Sequence, residues 1–197
     1  PGLRLPDKWG VSIGGGTPHR VGLFDMVMVK DNHAAAAGGV VKAADAAREY
    51  LRKIKKATVP IEVEASTLEE VEAVLALVEA RGGPGRISEG KSGITRLMLD
   101  NMVKVAKRKE EGGNEKIESI DVSLLSEAVA LVRASGLDAQ GLETEASGNV
   151  TVETVGAVSR TGVSHVSTGA LTHSVTALDV SLGLELLLGE EEVEAAK

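Results

Sequence analysis

Charged residues that could take part in chemistry recur at one kind of position in this sequence, directly after a short apolar run. Lys30, Glu64 and Asp100 each occupy such a position. The two carboxylates could hold ribose hydroxyl groups or a Mg²⁺ ion, since hard cations prefer oxygen ligands. They could equally compensate Lys30 and Arg20 at the rim of the fold. The spacing alone leaves both interpretations open.

Two turns of small residues offer a different binding group, the backbone N–H. Ser147-Gly148-Asn149 comes just before a helical pattern, and Gly169 opens a second turn that ends at His173. Backbone N–H groups exposed at such turns can face a phosphate. A single glycine turn says little by itself, but two in succession, with His173 beside the second, predict a phosphate site.

A glycine loop at positions 14–16 leads into the pair His19-Arg20. The planar guanidinium of an arginine suits a carboxylate, and Lys30 adds a compact cation nearby. These cationic groups together suit a small dicarboxylate, although Arg20 could instead pair with Asp25 in a surface loop. From its residues alone, the sequence predicts an enzyme that binds a phosphate and a small anion, without fixing the reaction.

Short apolar runs alternate with longer amphipathic stretches, which is typical of βα units and a mainly parallel sheet. Strands are predicted at Met26–Val29, Ile61–Val63, Thr95–Leu99, Leu142–Glu145 and Val163–Ser167. Helical periodicity is present at Val40–Ile54, Leu68–Ala80, Leu124–Ala134 and Val152–Arg160. Ser66 and Glu69 form a predicted capping box for the second helix. A further strand is predicted near Gly10–Ile13, and another short element at Ala177–Leu182.

A polar residue stands at the last position of each predicted strand or just after it: Lys30, Glu64 and Asp100 follow the first three strands, while Glu145 closes the fourth and Ser167 the fifth. In α/β barrels the active site lies at the C-terminal ends of the strands. An open doubly wound sheet also gathers ligands at that edge, but mainly at one topological switch point. Polar residues on five successive strands therefore favour a barrel. Gly82–Gly93 and Lys104–Lys116 do not fit the alternation and are expected to be solvated insertions.

The composition excludes several classes of protein. Hydrophobic residues make up 43% of the 197 residues, enough for a well-buried core, and no apolar run is long enough to span a membrane. Cysteine is absent, which excludes disulfides and thiol nucleophiles. A net charge of −7 and only three aromatic residues, Trp9, Phe24 and Tyr50, argue against a nucleic-acid partner.

Read as strings, several segments resemble the quinolinate phosphoribosyltransferase family in order and spacing. They are Pro1-Gly2-Leu3-Arg4, Gly14-Gly15-Gly16, His19-Arg20, Gly22-Leu23-Phe24-Asp25-Met26, Lys30-Asp31-Asn32-His33, Val63-Glu64, Met98-Leu99-Asp100-Asn101, Glu145-Ala146-Ser147-Gly148-Asn149 and Ser167–Ser174. The resemblance runs from residue 1 to about Leu182. It implies an incomplete or open TIM-like α/β barrel at residues 1–182, followed by an acidic tail at residues 183–197.

The resemblance also implies a reaction, in which quinolinate and phosphoribosyl pyrophosphate give nicotinate mononucleotide, pyrophosphate and carbon dioxide, with Mg²⁺ required. It implies that His19, Arg20 and Lys30 line the quinolinate pocket. It places Glu64 and Asp100 on the ribose and metal side, and counts them with Lys30 as catalytic. Ser147, Gly148, Asn149 and Gly169 would cradle phosphate, with His173 beside them.

This sequence departs from the family pattern in several respects. It begins after an Arg-Lys pair common in the family, and it lacks the N-terminal sandwich domain, which gives an arginine to the neighbouring subunit of a dimer. Pro18 stands where asparagine is common. Gly82–Gly93 and Lys104–Lys116 resemble plant and algal members, which makes a plastid or mitochondrial location an expectation; for a protein from another source the expectation is a cytoplasmic one. Two alternatives stay open: a related barrel, such as the molybdenum-operon paralogue, acting on another aromatic acid, and an inactive or regulatory fragment.

Overall fold

The structure, a computed structural model, describes residues 2–109 and 115–184. Its helices are α1 (Arg4–Ile13), α2 (Asp31–Ala37), α3 (Val40–Lys53), α4 (Leu68–Ala80), α5 (Ser123–Ser135), α6 (Val152–Ser159) and α7 (Ala170–His173). Its strands are β1 (Val27–Val29), β2 (Ile61–Ala65), β3 (Ile94–Asp100), β4 (Lys104–Lys109), β5 (Glu115–Asp121), β6 (Glu143–Ser147) and β7 (His165–Val166). The five strands and four helices predicted from periodicity are therefore confirmed, with ends shifted by a few residues.

Five strands form one parallel sheet in the order β1-β2-β3-β6-β7. Helices follow β1, β2 and β6 directly, as parallel strands require a crossover between them. Within the described residues β1 and β7 are the two edges of the sheet, so in this part of the chain the sheet is open. The predicted α/β architecture with a parallel sheet is confirmed.

The hydrophobic core lies between this sheet and its helices. All five residues of β2 are buried, and Leu97 and Leu99 of β3 are fully enclosed. On α4, Val71, Val74 and Val78 recur at intervals of three and four residues, so they share one helical face, and all three are at 0% exposure. Because this face of the sheet is buried against the helices, the alternate residues of each strand must point to the opposite face.

That other face of the sheet carries charged residues, because side chains alternate along a strand. Ile61 and Val63 join the core, so Glu62 and Glu64 point to the opposite face. The register places Glu62 beside Arg96 on the neighbouring strand. The two-residue period of the strands thus places apolar side chains against the helices and charged side chains on the other face of the sheet.

The N-terminal segment was predicted wrongly. Gly10–Ile13 is the last turn of α1, not a strand. Leu5, Trp9 and Ile13 are four residues apart and lie along one side of this helix, all largely exposed. Pro6 is tolerated because it falls in the first turn, where its missing N–H leaves no bond unmade.

Three further expectations have different outcomes. Residues 104–109 and 115–121 form the two strands of an antiparallel hairpin that is mostly exposed, as expected for a solvated insertion, while residues 110–114 lie outside the described residues. Gly82–Gly93 is only partly solvated, because it packs Ile87 and Ser92 into the interior. The cap of α4 is Thr67, which accepts a hydrogen bond from Glu70 N–H at 3.2 Å, one residue later than the predicted box.

Two predictions fall at the C-terminal end of the chain. Ala177–Leu182 forms no helix or strand and is exposed. The acidic segment from residue 185 onward lies outside the described residues. In the part of the chain that the structure covers, no helix has both the length and the apolar character needed to cross a membrane.

Candidate active site

A cavity of about 710 Å³ opens at the carboxyl ends of the parallel strands. Nine of the ten candidate site residues line it: His19, Lys30, Glu64, Asp100, Ser147, Gly148, Asn149, Gly169 and His173. Arg20 does not. Residues that are up to 154 positions apart in the sequence meet here because the carboxyl ends of parallel strands share one edge.

Lys30 and Glu64 form the charged pair on one wall of the cavity. Lys30 directly follows β1 and Glu64 is the fourth residue of β2, so their strands are neighbours. The Lys30 ammonium donates to Glu64 Oε2 at 3.0 Å, and Asp31 N–H donates to Oε1 at 3.4 Å. The hydrogen bond to Glu64 raises the pKa of Lys30, and the charge of Asp100 adds to this effect. Lys30 therefore presents a full positive charge to the cavity at neutral pH.

Asp100 closes β3 on the next wall, opposite Ser147 in the strand register. Its Oδ2 accepts a hydrogen bond from the Asn101 amide at 2.6 Å. Asn101 N–H donates to Ser147 O at 2.9 Å, which ties this strand end to the first small-residue turn. The Asp100 carboxylate therefore lies at the cavity, and the hydrogen bond from Asn101 orients one of its two oxygens.

The first turn, at positions 147–149, depends on glycine. Gly148 has φ +92°, and a Cβ there would collide with the Asn101 side chain. Asn149 also has a positive φ, and its amide donates to Val103 O at 2.9 Å. Thr151 caps α6 through the Thr154 side chain, whose Oγ1 accepts from Thr151 N–H at 2.8 Å. The turn therefore holds its backbone close against the cavity at the N-terminal end of a helix.

The second turn is linked to the first. Thr168 Oγ1 donates to Val150 O at 3.0 Å, and Ala170 N–H donates to Thr168 Oγ1 at 3.3 Å. Gly169 lies against the His173 ring, which a Cβ at position 169 would meet at 3.0 Å. His173 Nδ1 and Ser174 Oγ are 2.6 Å apart. The two turns thus face the same cavity, as the sequence predicted for a phosphate site.

His19 reaches the cavity with both ring nitrogens engaged. Its Nδ1 accepts a hydrogen bond from Arg20 N–H at 2.8 Å. Its Nε2 lies 2.9 Å from Glu62 Oε2 and 3.6 Å from Glu145 Oε2. Because Nδ1 is an acceptor, the ring proton must be on Nε2, and the imidazole is neutral in this arrangement.

Arg20 belongs to a second, smaller cavity of about 350 Å³. Its guanidinium donates to Met26 O at 3.2 Å, and no carboxylate of the described residues lies within ion-pair distance. The alternative pairing with Asp25 is wrong, since Asp25 accepts instead from the backbone N–H groups of Val21 and Gly22. The two cavities share four lining residues: His19, Glu145, Ser167 and Thr168.

The sequence analysis missed a partly buried ionic network beneath the main cavity. Arg96 donates to Glu145 at 2.9 Å and to Glu143 at 2.8 Å, and His165 lies 3.2 Å from Glu143. Burial acts to lower the pKa of Arg96, but its hydrogen bond to Glu143 and the charge of Glu145 hold that pKa above the ordinary value. The available signal was the two-residue period, which puts Arg96 below Asp100 and Glu62 below Glu64 on one face.

This arrangement has the groups for holding a phosphorylated, anionic substrate. Lys30 offers an ammonium ion, the two turns offer backbone N–H groups, and Asp100 offers oxygen ligands for hydroxyl groups or a cation. Among the cavity-lining residues there is no cysteine nucleophile, and the chain has none elsewhere. Positioning and electrostatic stabilisation are the means of catalysis that this set of residues provides.

Comparisons with known proteins agree on one family. The family model described as "Quinolinate phosphoribosyl transferase, C-terminal domain" matches residues 1–183. The chain is 49% identical over 191 residues to quinolinate phosphoribosyltransferase [decarboxylating] 2, mitochondrial, of Nicotiana glauca, covering 97% of this chain and 47% of that protein. It is 48% identical to the chloroplastic nicotinate-nucleotide pyrophosphorylase [carboxylating] of Arabidopsis thaliana, covering 97% and 48%.

Comparison of the fold with solved structures indicates the same family. The crystal structure of NadC from Streptococcus pyogenes superposes with a TM-score of 0.65 at 31% identity, covering 91% of this chain and 48% of that one. The chain spans about half the length of the curated relatives it matches. The family model and the plant relatives together show that this chain belongs to the quinolinate phosphoribosyl transferase family and matches its C-terminal domain.

Proposed function

We propose that this chain is the barrel domain of a longer parent protein that converts quinolinate and phosphoribosyl pyrophosphate to nicotinate mononucleotide, pyrophosphate and carbon dioxide, a step of NAD biosynthesis. The observation that carries the proposal is the single cavity in which Lys30, Glu64 and Asp100 face two small-residue turns. That combination matches a substrate with phosphates at one end and a ribose carbon at the other. The names of the relatives support the same substrates.

The phosphate end of the substrate is assigned to the two turns. Ser147, Gly148 and Asn149 form one side and Gly169 the other, joined by the hydrogen bond from Thr168 to Val150. Backbone N–H groups bind phosphate oxygens without a counter-charge of their own. This assignment explains why glycine is required at position 148, where a side chain would displace the turn.

The quinolinate end is assigned to the boundary between the two cavities. Lys30 faces the larger cavity and Arg20 the smaller, and His19 lines both. A dicarboxylate placed across this boundary could pair one carboxylate with Lys30 and the other with Arg20. His19 is neutral as it stands, so we assign it a hydrogen-bonding and orienting role and not that of a third cation.

Mg²⁺ fits the carboxylates in the main cavity. Mg²⁺ is usually held by one or two carboxylates together with substrate phosphates and water. Glu64 and Asp100 supply such oxygens, although Lys30 occupies Glu64 Oε2 at 3.0 Å and leaves Asp100 the freer of the two. A bound Mg²⁺ would neutralise charge on the pyrophosphate leaving group.

In the proposed reaction the pyridine nitrogen of quinolinate attacks the anomeric carbon as pyrophosphate leaves. Glu64 and Asp100 place negative charge near the carbon where positive charge develops. The ribosylated nitrogen is cationic, so it stabilises the electron pair left on the adjacent ring carbon when the carboxylate departs as carbon dioxide, and that carbon then takes up a proton from water. No step needs a covalent intermediate with the protein.

The test is turnover and binding measured separately. Purified parent protein should release carbon dioxide from carboxyl-labelled quinolinate only with phosphoribosyl pyrophosphate present, and should lose turnover when Mg²⁺ is chelated. Nicotinate in place of quinolinate should not react, because it lacks the second carboxylate; equal turnover would favour the related barrel enzyme. No turnover with quinolinate would remove the proposal.

This chain alone should bind phosphoribosyl pyrophosphate weakly and turn over little or nothing. Its phosphate turns and Lys30 are in place, so calorimetric titration should detect binding that weakens with added salt. The chain spans about half the length of the curated relatives it matches, and any quinolinate contacts made by the rest of the parent would be absent in this assay. Turnover near that of the parent would show that the residues assigned here suffice, while complete absence of binding would favour an inactive or regulatory fragment.

The parent is further proposed to be a homodimer located in an organelle. Leu5, Trp9 and Ile13 of α1 form an exposed apolar strip, which supports contact with further protein. The two plant relatives are named mitochondrial and chloroplastic. Sedimentation of the parent and imaging of a tagged form in plant cells test these two proposals.

A further inference from the structure

Two buried glutamates beneath the main cavity are not satisfied by the residues around them. Glu62 is 0% exposed and Glu145 is 1% exposed. In each carboxylate, Oε1 is buried and accepts no hydrogen bond from any described residue. An ionised carboxylate withdrawn from water is costly unless it is paired, so two such unpartnered oxygens around His19 call for a partner.

The local charges do not balance. Three carboxylates (Glu62, Glu143 and Glu145) surround one guanidinium, that of Arg96, which pairs with Glu143 and Glu145 and leaves Glu62 without an ion-pair partner of fixed charge. His19 contacts Glu62 and Glu145, but its Nδ1 accepts from Arg20 N–H, so the ring brings no charge. The ammonium group of Lys30, which lines the main cavity, is bound to Glu64.

A metal ion held by His19, Glu62 and Glu145 is the first alternative, since one ligand atom of each lies within 4.8 Å of the others. A metal on His19 Nε2 would require the ring proton to move to Nδ1. Nδ1 already accepts from Arg20 N–H at 2.8 Å, and two N–H groups cannot face each other there. The histidine is therefore in the wrong tautomer for a ligand.

We propose that Glu62 and Glu145 form a seat for a guanidinium or ammonium group, which would bind their free oxygens from the side of the two cavities. Glu145 lines both cavities, so such a group has a path to it. Planar guanidinium groups and ammonium ions are the cations that pair with carboxylates through hydrogen bonds alone. The inference is independent of the proposed reaction and adds a cation site one layer below it.

The seat also explains the position of His19. Its Nε2–H is directed between the two carboxylates, at 2.9 Å from one and 3.6 Å from the other. A cation on the two unpartnered Oε1 atoms would compensate both glutamates and keep this hydrogen bond in place. Glu62 and Glu145 are then positioning residues for His19, and through its Nδ1 for the backbone at Arg20.

The test compares this chain with its Glu62→Gln variant in thermal unfolding. Glutamine keeps an acceptor for His19 Nε2–H while removing the buried charge, so in the absence of a cation it should raise the unfolding midpoint by about 5 °C. Glu72→Gln, on the exposed side of α4, is the matched control for net charge and should change the midpoint by less than about 1 °C. An unchanged midpoint in Glu62→Gln would overturn the proposal, because it would mean that the carboxyl group is already neutral.

A second measurement uses methylguanidinium chloride as the probe, against the same concentration of sodium chloride. It should stabilise the unmodified chain and leave Glu62→Gln unaffected, while ¹⁵N signals of the His19 ring continue to show the proton on Nε2. Equal responses of both forms would refute a specific seat. Stabilisation by Zn²⁺ or Mn²⁺ together with a shift of the ring proton to Nδ1 would replace the proposal with a metal site.

Experiments on the parent protein distinguish two sources of the cation, a basic side chain of the parent and a free compound. If a basic side chain of the parent occupies the seat, Glu62→Gln should lower the unfolding midpoint of the parent, because that side chain would lose its carboxylate partner. This is the opposite of the rise expected for this chain alone. If a free amine or guanidinium compound occupies it, the parent should behave as this chain does and respond to methylguanidinium. A midpoint in the parent that responds to neither the substitution nor the probe would overturn the proposal.

Discussion

Arg20 provides the sharpest test of how the substrate is held. Its guanidinium has no ion-pair partner among the described residues; it donates to Met26 O at 3.2 Å and, more weakly, to Met28 Sδ at 3.9 Å. Arg20→Ala therefore removes little from folding, about 0.5–1.5 kcal/mol for the bond to Met26 O. If Arg20 binds a quinolinate carboxylate, the same change removes a charge-assisted contact of about 1.5–3 kcal/mol. That corresponds to a loss in kcat/KM of about tenfold to 150-fold.

Steady-state kinetics of the parent protein with quinolinate varied would measure this loss. Arg20→Lys should recover only part of it, because an ammonium ion lacks the two-pronged geometry of a guanidinium. Lys53→Ala is the matched control, since Lys53 is exposed in the last turn of α3, at the opposite end of the strands. Unaltered kcat/KM in Arg20→Ala, with the fold intact by thermal unfolding, would show that the carboxylate is bound elsewhere.

Three further outcomes are expected. Gly148→Ala should weaken binding of phosphoribosyl pyrophosphate at least tenfold by calorimetry, because the new Cβ collides with Asn101 at a φ of +92°; unchanged affinity would place the phosphate elsewhere. Glu64→Gln should lower the pKa of Lys30 in an NMR titration, since the hydrogen bond to Glu64 holds that pKa above its ordinary value of about 10.4. The sign follows from the raised pKa: the stability from this pair is complete below the ordinary value and is lost as the pH rises through the folded one. Leu97→Ala should cost about 2–5 kcal/mol in the free energy of unfolding, because the side chain is fully enclosed; a cost below about 1 kcal/mol would contradict the core described here.

The elements of the sheet could be predicted because their signals are local. Helix α4 was predicted at Leu68–Ala80 and has those bounds, since the spacing of its valines reports one buried face. Strand β2 was predicted at Ile61–Val63 and extends to Ala65. The local signals were misleading for α1, a helix that is amphipathic but exposed. Gly10–Ile13 is predicted as a strand, although Leu5, Trp9 and Ile13 have helical spacing.

The convergence of the candidate site residues on one cavity was predicted from one topological rule. Parallel strands put their carboxyl ends on one edge, so Lys30, Glu64 and Asp100 had to converge if the strands were parallel neighbours. The rule specifies the edge of the sheet at which these side chains lie, but not the distances between them. Only the structure shows that Lys30 is bound to Glu64 and that Arg20 lies in a separate cavity.

The sequence by itself determined the family resemblance, the strand and helix pattern and the edge of the sheet where the chemistry lies. The tertiary structure decided what lies beneath that edge. Glu62 and Glu145 are 83 positions apart, and nothing local distinguishes them from solvated glutamates. They meet at His19 because β2, β3 and β6 pair in a fixed register, and strand pairing is a long-range contact that no local pattern of residues encodes.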